Sequence, residues 1–179
     1  LVGFIIFFIT VRGIGIISWE FLTQGPRDGM TAGGVAPAIV GTFYLTLGAI
    51  LFSLPLGLGC AIYLCEYSPR SSVVNIIRIG INNLAGVPSV IFGLFGLAVF
   101  VKLFKFGISI LSGSLSLGIM ILPLIISTTQ EALLAIPQSL REASLALGAT
   151  RWQTIRKVVL PVAFPGILTG VILAIGRVA

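Results

Sequence analysis

Histidine is missing from the 179 residues altogether, and charge is scarce: only 9% of the chain, eleven Lys and Arg against five Asp and Glu. Without histidine the commonest proton shuttle and metal ligand is gone. The carboxylates are scattered and no serine has a histidine to activate it, so no hydrolytic constellation can be assembled. No G-x-x-x-x-G-K-[ST] segment occurs, which excludes nucleotide binding through a loop of that kind. The two cysteines, Cys60 and Cys65, share one apolar stretch at a spacing that fits neither a zinc site nor a redox pair. They read as small packing residues. The expectation is therefore a chain with no catalytic residues, no metal ligands and no cofactor of its own.

What the chain does have is apolar length. It is 57% hydrophobic, whereas a soluble domain carries about a quarter charged residues. Residues 79–101, 106–130 and 158–176 contain no charge at all, and each window is near or above the roughly 20 residues a helix needs to cross a bilayer. Strict alternation of apolar and polar residues is absent, which argues against a transmembrane β-barrel. The fold expected is all-α, a polytopic transmembrane helix bundle. Its net charge of +6 is no nucleic-acid signal, because the basic residues gather in loops, where the positive-inside rule puts them.

In chain order, Leu1 to Val11 reads as the tail of a span. Ile14 to Leu22, with Trp19 and Glu20, suits a membrane–water boundary, and Thr23 to Gly34 is rich in turn residues. A second span is expected from Pro37 to Cys65, with Pro55 marking a kink or close crossing. A loop over Glu66 to Arg70 follows, then a short surface helix capped by Ser71 and running to Ile81. A third span begins near Pro88 and ends by Lys102. A fourth runs from Leu115 to Leu134, with Pro123 as a second kink, and a fifth starts near Val158. About five spans are thus present, with a sixth expected beyond the end of the sequence. Placing the 136–157 loop in the cytoplasm puts Arg70, Arg78, Arg141, Arg151, Arg156 and Lys157 on that side. Arg12, Arg27, Lys102 and Lys105 fall on the other, a bias in the positive-inside direction.

The longest polar interruption of the second half is Leu140 to Pro161. Pro137 suits a helix start, and Gly148 suits the left-handed residue just past a helix end. Between them Leu140, Ala143 and Leu147 fall on one face. Thr150 and Gln153 have the spacing of a capping box for the next helix. So short a helix, carrying a narrow apolar stripe, needs something to dock against. An ordinary connection lying on the bilayer surface fits the same residues.

Glu142-Ala-Ser, three residues, Gly148, nine residues and then Val158-Val-Leu-Pro161 resembles the EAA loop of ABC importer permeases, E-A-A, three residues, G, nine residues, I-x-L-P. Ser144 stands for the third-position Ala and Val158 for Ile. The resemblance implies the type I ABC importer permease fold, with 1–179 as a partial transmembrane domain. It also implies that the cytoplasmic segment 136–157 is a coupling element seated in a cleft of a separate ATPase. Arg141, Glu142, Ala143, Leu147 and Gly148 would carry that contact, and ATP with magnesium would reside on the partner.

A second resemblance concerns the solute. Asn83-Leu-Ala-Gly-Val-Pro-Ser-Val-Ile-Phe-Gly-Leu-Phe-Gly-Leu97 is similar to the N-L-A-G-V-P-S-I-V-F-G-L-F-G segment of phosphate-specific ABC permeases. Leu173-Ala-Ile-Gly-Arg-Val-Ala179 resembles the start of that family's A-I-G-R-x-x-G-E-T-A-P segment. Of the two homologous subunit types, the sequence is more similar to the PstA type than to the PstC type. The implied partners are a PstC-like permease, PstB-like ATPases and an extracytoplasmic PstS-like phosphate-binding protein. The implied location is a bacterial or archaeal plasma membrane.

A dehydrated anion needs positive charge or N–H groups along its route. Arg177 is the first candidate, and a snorkelling arginine is its alternative. Thr128, Thr129 and Gln130 form a polar turn that can line a gate or simply bond within and between helices. Ser89 opens the third span, where a helix N-terminus can attract an anion or be a plain helix start. A permease for molybdate, sulfate or an amino acid fits the EAA pattern equally. An ATP-independent channel or a structural membrane subunit is the reading from another class.

Overall fold

The computed structural model describes residues 2–27, 32–68 and 72–179, in two compact units divided after Phe43. The proposed cap Ser71, with Arg70 and the centre of the Thr23–Gly34 turn region, lies outside the described residues. In the first unit, α1 (Val2–Gly13) presents apolar side chains all round, and Arg12 lies 4.8 Å over the Phe8 ring. A 3-10 turn (Ile14–Ile16) leads to α2 (Trp19–Thr23), where the Ser18 side chain accepts the Phe21 N–H. The expected turn region contains a short antiparallel pairing of β1 (Pro26–Arg27) with β2 (Ala32–Gly33). Gly33 there has φ +92°, and a Cβ would strike the chain at Gly25 to Arg27.

Among the described residues, three helices are long and apolar enough to cross a membrane. The first, α3, covers Ala36–Ile62 and winds on as a π-helical segment to Tyr67. The second, α6, is Ile110–Leu134, capped by the Ser109 side chain. The third is continuous from Arg151 to Val178, made of α8 (Arg151–Thr154), a π-helical segment (Ile155–Val159) and α9 (Leu160–Val178). The helix of the last span therefore starts seven residues before Val158, inside the stretch read as a loop. Pro55, Pro123 and Pro165 all lie within continuous helix.

Between α3 and α6 the chain forms α4 (Ser72–Ala85) and α5 (Ser89–Gly96), the latter extended as π-helix to Leu103. Alone, α5 and its extension fall short of a span. The axes of Val74–Ala85 and Ser89–Leu103 meet at 98°, so the pair makes a fourth span only if counted as one broken element. The bend sits at Gly86–Pro88, because the residue before proline is pushed out of the helical region.

Within the second unit α6 is the most enclosed element, with Ile121, Ile125, Thr129 and Leu133 essentially inaccessible. Small residues let its neighbours approach closely: Gly48 meets Ser114, Gly57 meets Ile125, Gly96 meets Ser116, and Gly166 and Gly170 meet Ala132 and Thr128. These pairs run α3 parallel and α9 antiparallel to α6. Two apolar clusters fill the seams. One gathers Ala61, Leu64, Leu133, Ile136, Val159 and Ala163; the other gathers Ala49, Phe92, Met120, Ile121 and Ala174. The outward faces stay apolar, with Leu51, Val90 and Ile172 about two-thirds exposed, as lipid-facing surfaces are.

Candidate functional site

The stretch read as a coupling element folds as a helix, a turn and the first winding of the last span. Helix α7 is Gln138–Ala146, opened by Pro137. It closes as the glycine predicts. Gly148 takes φ +84°, its N–H donates to the Leu145 carbonyl at 3.0 Å, and the Ala149 N–H donates to Ser144 at 3.2 Å. This is a Schellman closure, which satisfies carbonyls a helix end leaves orphaned. Two residues later α8 begins with the predicted capping box. The Gln153 N–H donates to Thr150 Oγ1 at 3.3 Å, and the Thr150 N–H donates to Gln153 Oε1 at 2.9 Å. Ser144, where the family pattern has alanine, holds the two helices together through a 3.0 Å hydroxyl bond to the buried Thr154.

Arg141 anchors this unit to the bundle. Its Nε and Nη2 donate to Glu66 Oε1 at 3.1 Å, Nη2 also donates to the Leu133 carbonyl at 2.7 Å, and Nη1 donates to the Ile136 carbonyl at 2.8 Å. Leu133 is in the last turn of α6 and Glu66 in the π-helical end of α3, so one guanidinium ties α7 to the ends of two spans. Both side chains are nearly enclosed, at 13% and 14% exposure. A planar five-donor fork can serve three acceptors in this way; an ammonium cannot.

Glu142, Ala143, Leu147 and Gly148 face outward, and no residue of α7 is buried. Leu147 is 89% exposed and Leu140 41%. The apolar stripe is therefore uncovered within the described chain. Of the five residues read as coupling contacts, four are presented outward and Arg141 is turned inward. Glu66 was missed as its partner. The available signal was a carboxylate ending an apolar span on the face assigned to Arg141.

The residues read as lining a pathway are not joined by any hydrogen bond or ion pair among the described residues. Thr128 Oγ1 donates to the Leu124 carbonyl at 2.9 Å and faces Gly170 of α9. Thr129 is buried, the Gln130 amide nitrogen is buried with no partner, and Ser89 is exposed in the first turn of α5. Arg177 is exposed while Ala174, one turn earlier, is buried in the core. Continuing the antiparallel pairing of Gly166 with Ala132 and Gly170 with Thr128 sets Arg177 level with Ile121, near the middle of α6. At such a depth an arginine facing lipid costs about 3 kcal/mol or more, so it needs a partner or a water-filled route.

Residues 53–179 match the family described as binding-protein-dependent transport system inner membrane component. The chain is 38% identical over 171 residues to the probable ABC transporter permease protein YqgI of Bacillus subtilis, covering 96% of this chain and 58% of that protein. It is 34% identical over 175 residues to the phosphate transport system permease protein PstA of Haemophilus influenzae, covering 98% and 62%. To PstA of Yersinia pestis it is 37% identical over 177 residues, covering 98% and 59%. The chain thus spans about three-fifths of the length of these relatives. A solved structure of the MetNI methionine ABC transporter in an inward-facing conformation superposes with a TM-score of 0.72 at 25% identity, covering 80% of this chain and 69% of that one.

Proposed function

Since the chain belongs to the family of binding-protein-dependent transport system inner membrane components, we propose that it is a permease subunit of an ABC importer for inorganic phosphate. Its apolar spans would sit in the plasma membrane beside a homologous permease. ATP would be hydrolysed on separate ATPase subunits, and an external binding protein would deliver the anion. The observation that carries the reading is α7, a short helix closed at its C-terminal end and bonded to two spans through Arg141, yet leaving its own apolar stripe uncovered. A helix so built transmits force: whatever closes on Glu142 and Leu147 moves the ends of α3 and α6 with it.

Phosphate as the solute is supported by the PstA relatives and by Arg177. The arginine would meet the anion where the chain's own core does not cover it. The Gln130 amide, buried and unpaired, is a second donor for a route that opens along α6. The amino-acid alternative keeps one specific support, the similarity of the backbone to a methionine transporter.

The test is ATP-dependent uptake of phosphate into vesicles carrying the complete complex, with sulfate, molybdate and methionine as competitors. Uptake resisting all three supports the assignment, and uptake of methionine in place of phosphate overturns it. Arg177→Gln is expected to depress phosphate uptake while leaving assembly intact, and normal uptake in that variant would remove Arg177 from the pathway.

A further inference from the structure

Beneath the Arg141 anchor lies a cleft of about 1040 Å³, walled by the ends of α3 and α6, by α4 and by α7–α8. Three arginines line it, the half-buried Arg78 and Arg141 and the exposed Arg151, against one acidic residue, Glu66. Glu66 is spent on Arg141, in the one ion pair among the described residues. Arg78 and Arg151 therefore leave two positive charges without a counterion. Arg78 donates through Nη2 to the Leu64 carbonyl at 3.1 Å, while its Nε is buried with no acceptor. A buried donor left unmet costs free energy, which an acceptor in the cleft returns once the side chain turns toward it. The rest of the wall is mixed, with Leu134, Leu145 and Ile155 forming an apolar side and Ser72, Asn75 and Gln138 a polar one.

We infer that this cleft binds a phosphate group, held between Arg78 of α4 and Arg151 of α8. Guanidinium forks match phosphate oxygens in charge and spacing. Basic pockets between membrane helices at the cytoplasmic surface suit anionic headgroups. Two sources share that chemistry: the headgroup of an anionic phospholipid, whose chains would lie on the apolar wall, and free inorganic phosphate. Either would bridge α4 to the helix that follows the coupling turn, and so stiffen the same handle that Arg141 fixes from the other side. The inference does not depend on which solute is transported.

Cys65 lines the same cleft, whereas Cys60 does not, which gives a local readout. The full-length chain, assembled with its partner subunits in lipid nanodiscs, would be labelled with uncharged N-ethylmaleimide and the rate followed at each cysteine by peptide mass spectrometry. Phosphatidylglycerol discs are expected to slow labelling of Cys65 several-fold relative to phosphatidylcholine discs if the source is lipid. Inorganic phosphate added to phosphatidylcholine discs is expected to do so if the source is the free anion. The rate at Cys60 should stay constant. In R78Q/R151Q the protection should vanish, and in R78K/R151K part of it should remain. Equal Cys65 rates in all three wild-type conditions overturn the inference. So does protection that survives in R78Q/R151Q, which would report surface potential or a seated protein partner. Where the double variant fails to assemble, the single variants R78Q and R151Q take its place, and protection undiminished in both overturns the inference.

Discussion

The Arg141 guanidinium joins three acceptors on two spans and the turn after α6, and its removal is a sharp residue-level test. Arg141→Ala would strand the Glu66 carboxylate and the Ile136 carbonyl, and leave the Leu133 carbonyl only its backbone donors, the Ile136 N–H at 3.4 Å among them. Breaking a fully buried pair costs about 3–5 kcal/mol; with both side chains 13–14% exposed, a loss of about 2–3 kcal/mol is expected. Thermal unfolding of the assembled complex and faster hydrogen exchange across α7 would report it. Arg141→Lys should recover little, because an ammonium cannot reach three acceptors in one plane. Gly148 poses a smaller, cleaner case. Nothing lies within 4 Å of where its Cβ would be, and its φ is +84°, so Gly148→Ala carries only the backbone penalty, about 1 kcal/mol. Gly148→Asn should lose less, as asparagine tolerates that region; exchange at the Ala149 amide separates the two. The glycine and the Thr150–Gln153 box were legible in the sequence because both are local signals with fixed spacing. The Arg141–Glu66 bond was not, since its partners lie 75 positions apart, and a carboxylate at a span end on the same side narrows the choice without naming the arginine.

At the scale of elements, the crossings depend on absent side chains. A Cβ on Gly48 would sit 2.8 Å from Ser114 Cβ, and overpacking of this kind costs about 1–3 kcal/mol. Gly48→Ala should therefore loosen α3 from α6. Adding Ser114→Gly should recover at least half of the loss, a non-additivity that a double-mutant cycle in detergent unfolding would measure. Hydropathy located α3, α6 and α9 because long uncharged runs are unambiguous. Boundaries were less legible. The last span starts at Arg151 because Thr150 caps it, and its first two turns carry Arg151, Arg156 and Lys157, a polarity that hydropathy reads as loop. The stretch read as a third span is a short helix set at 98° to α4, too short to cross a membrane alone. Pro88 announced the break, but nothing in the sequence gave the angle between the two parts.

For the whole molecule, stability and coupling should come apart at α7. Leu147 is 89% exposed, so Leu147→Asp should leave unfolding of this chain within about 0.5 kcal/mol of the parent. Its side chain would meet the ATPase, and a loss of about 1.4 kcal/mol in docking is about a tenfold loss in affinity. ATP-driven uptake should fall accordingly in vesicles while membrane insertion is unchanged. Normal uptake would detach α7 from the motor. The general design, apolar rods joined by one polar hairpin, was legible from composition and motif. The inward turn of Arg141 and the outward, mid-depth setting of Arg177 were not, because both depend on how α6 and its neighbours are registered.

The reach of the Glu66–Arg141 bond also imposes an order on biogenesis. At translation speeds of roughly 5–20 residues per second, the 75 positions between the two partners take roughly 4–15 s to emerge. Throughout that interval the nascent α3 carries its acid unanswered at the end of the span, and the loose end of the helix stays open to surveillance proteases. Only when the later basic residue leaves the ribosome does the first span become locked. A polypeptide stalled between those two points is the one that quality control should find first.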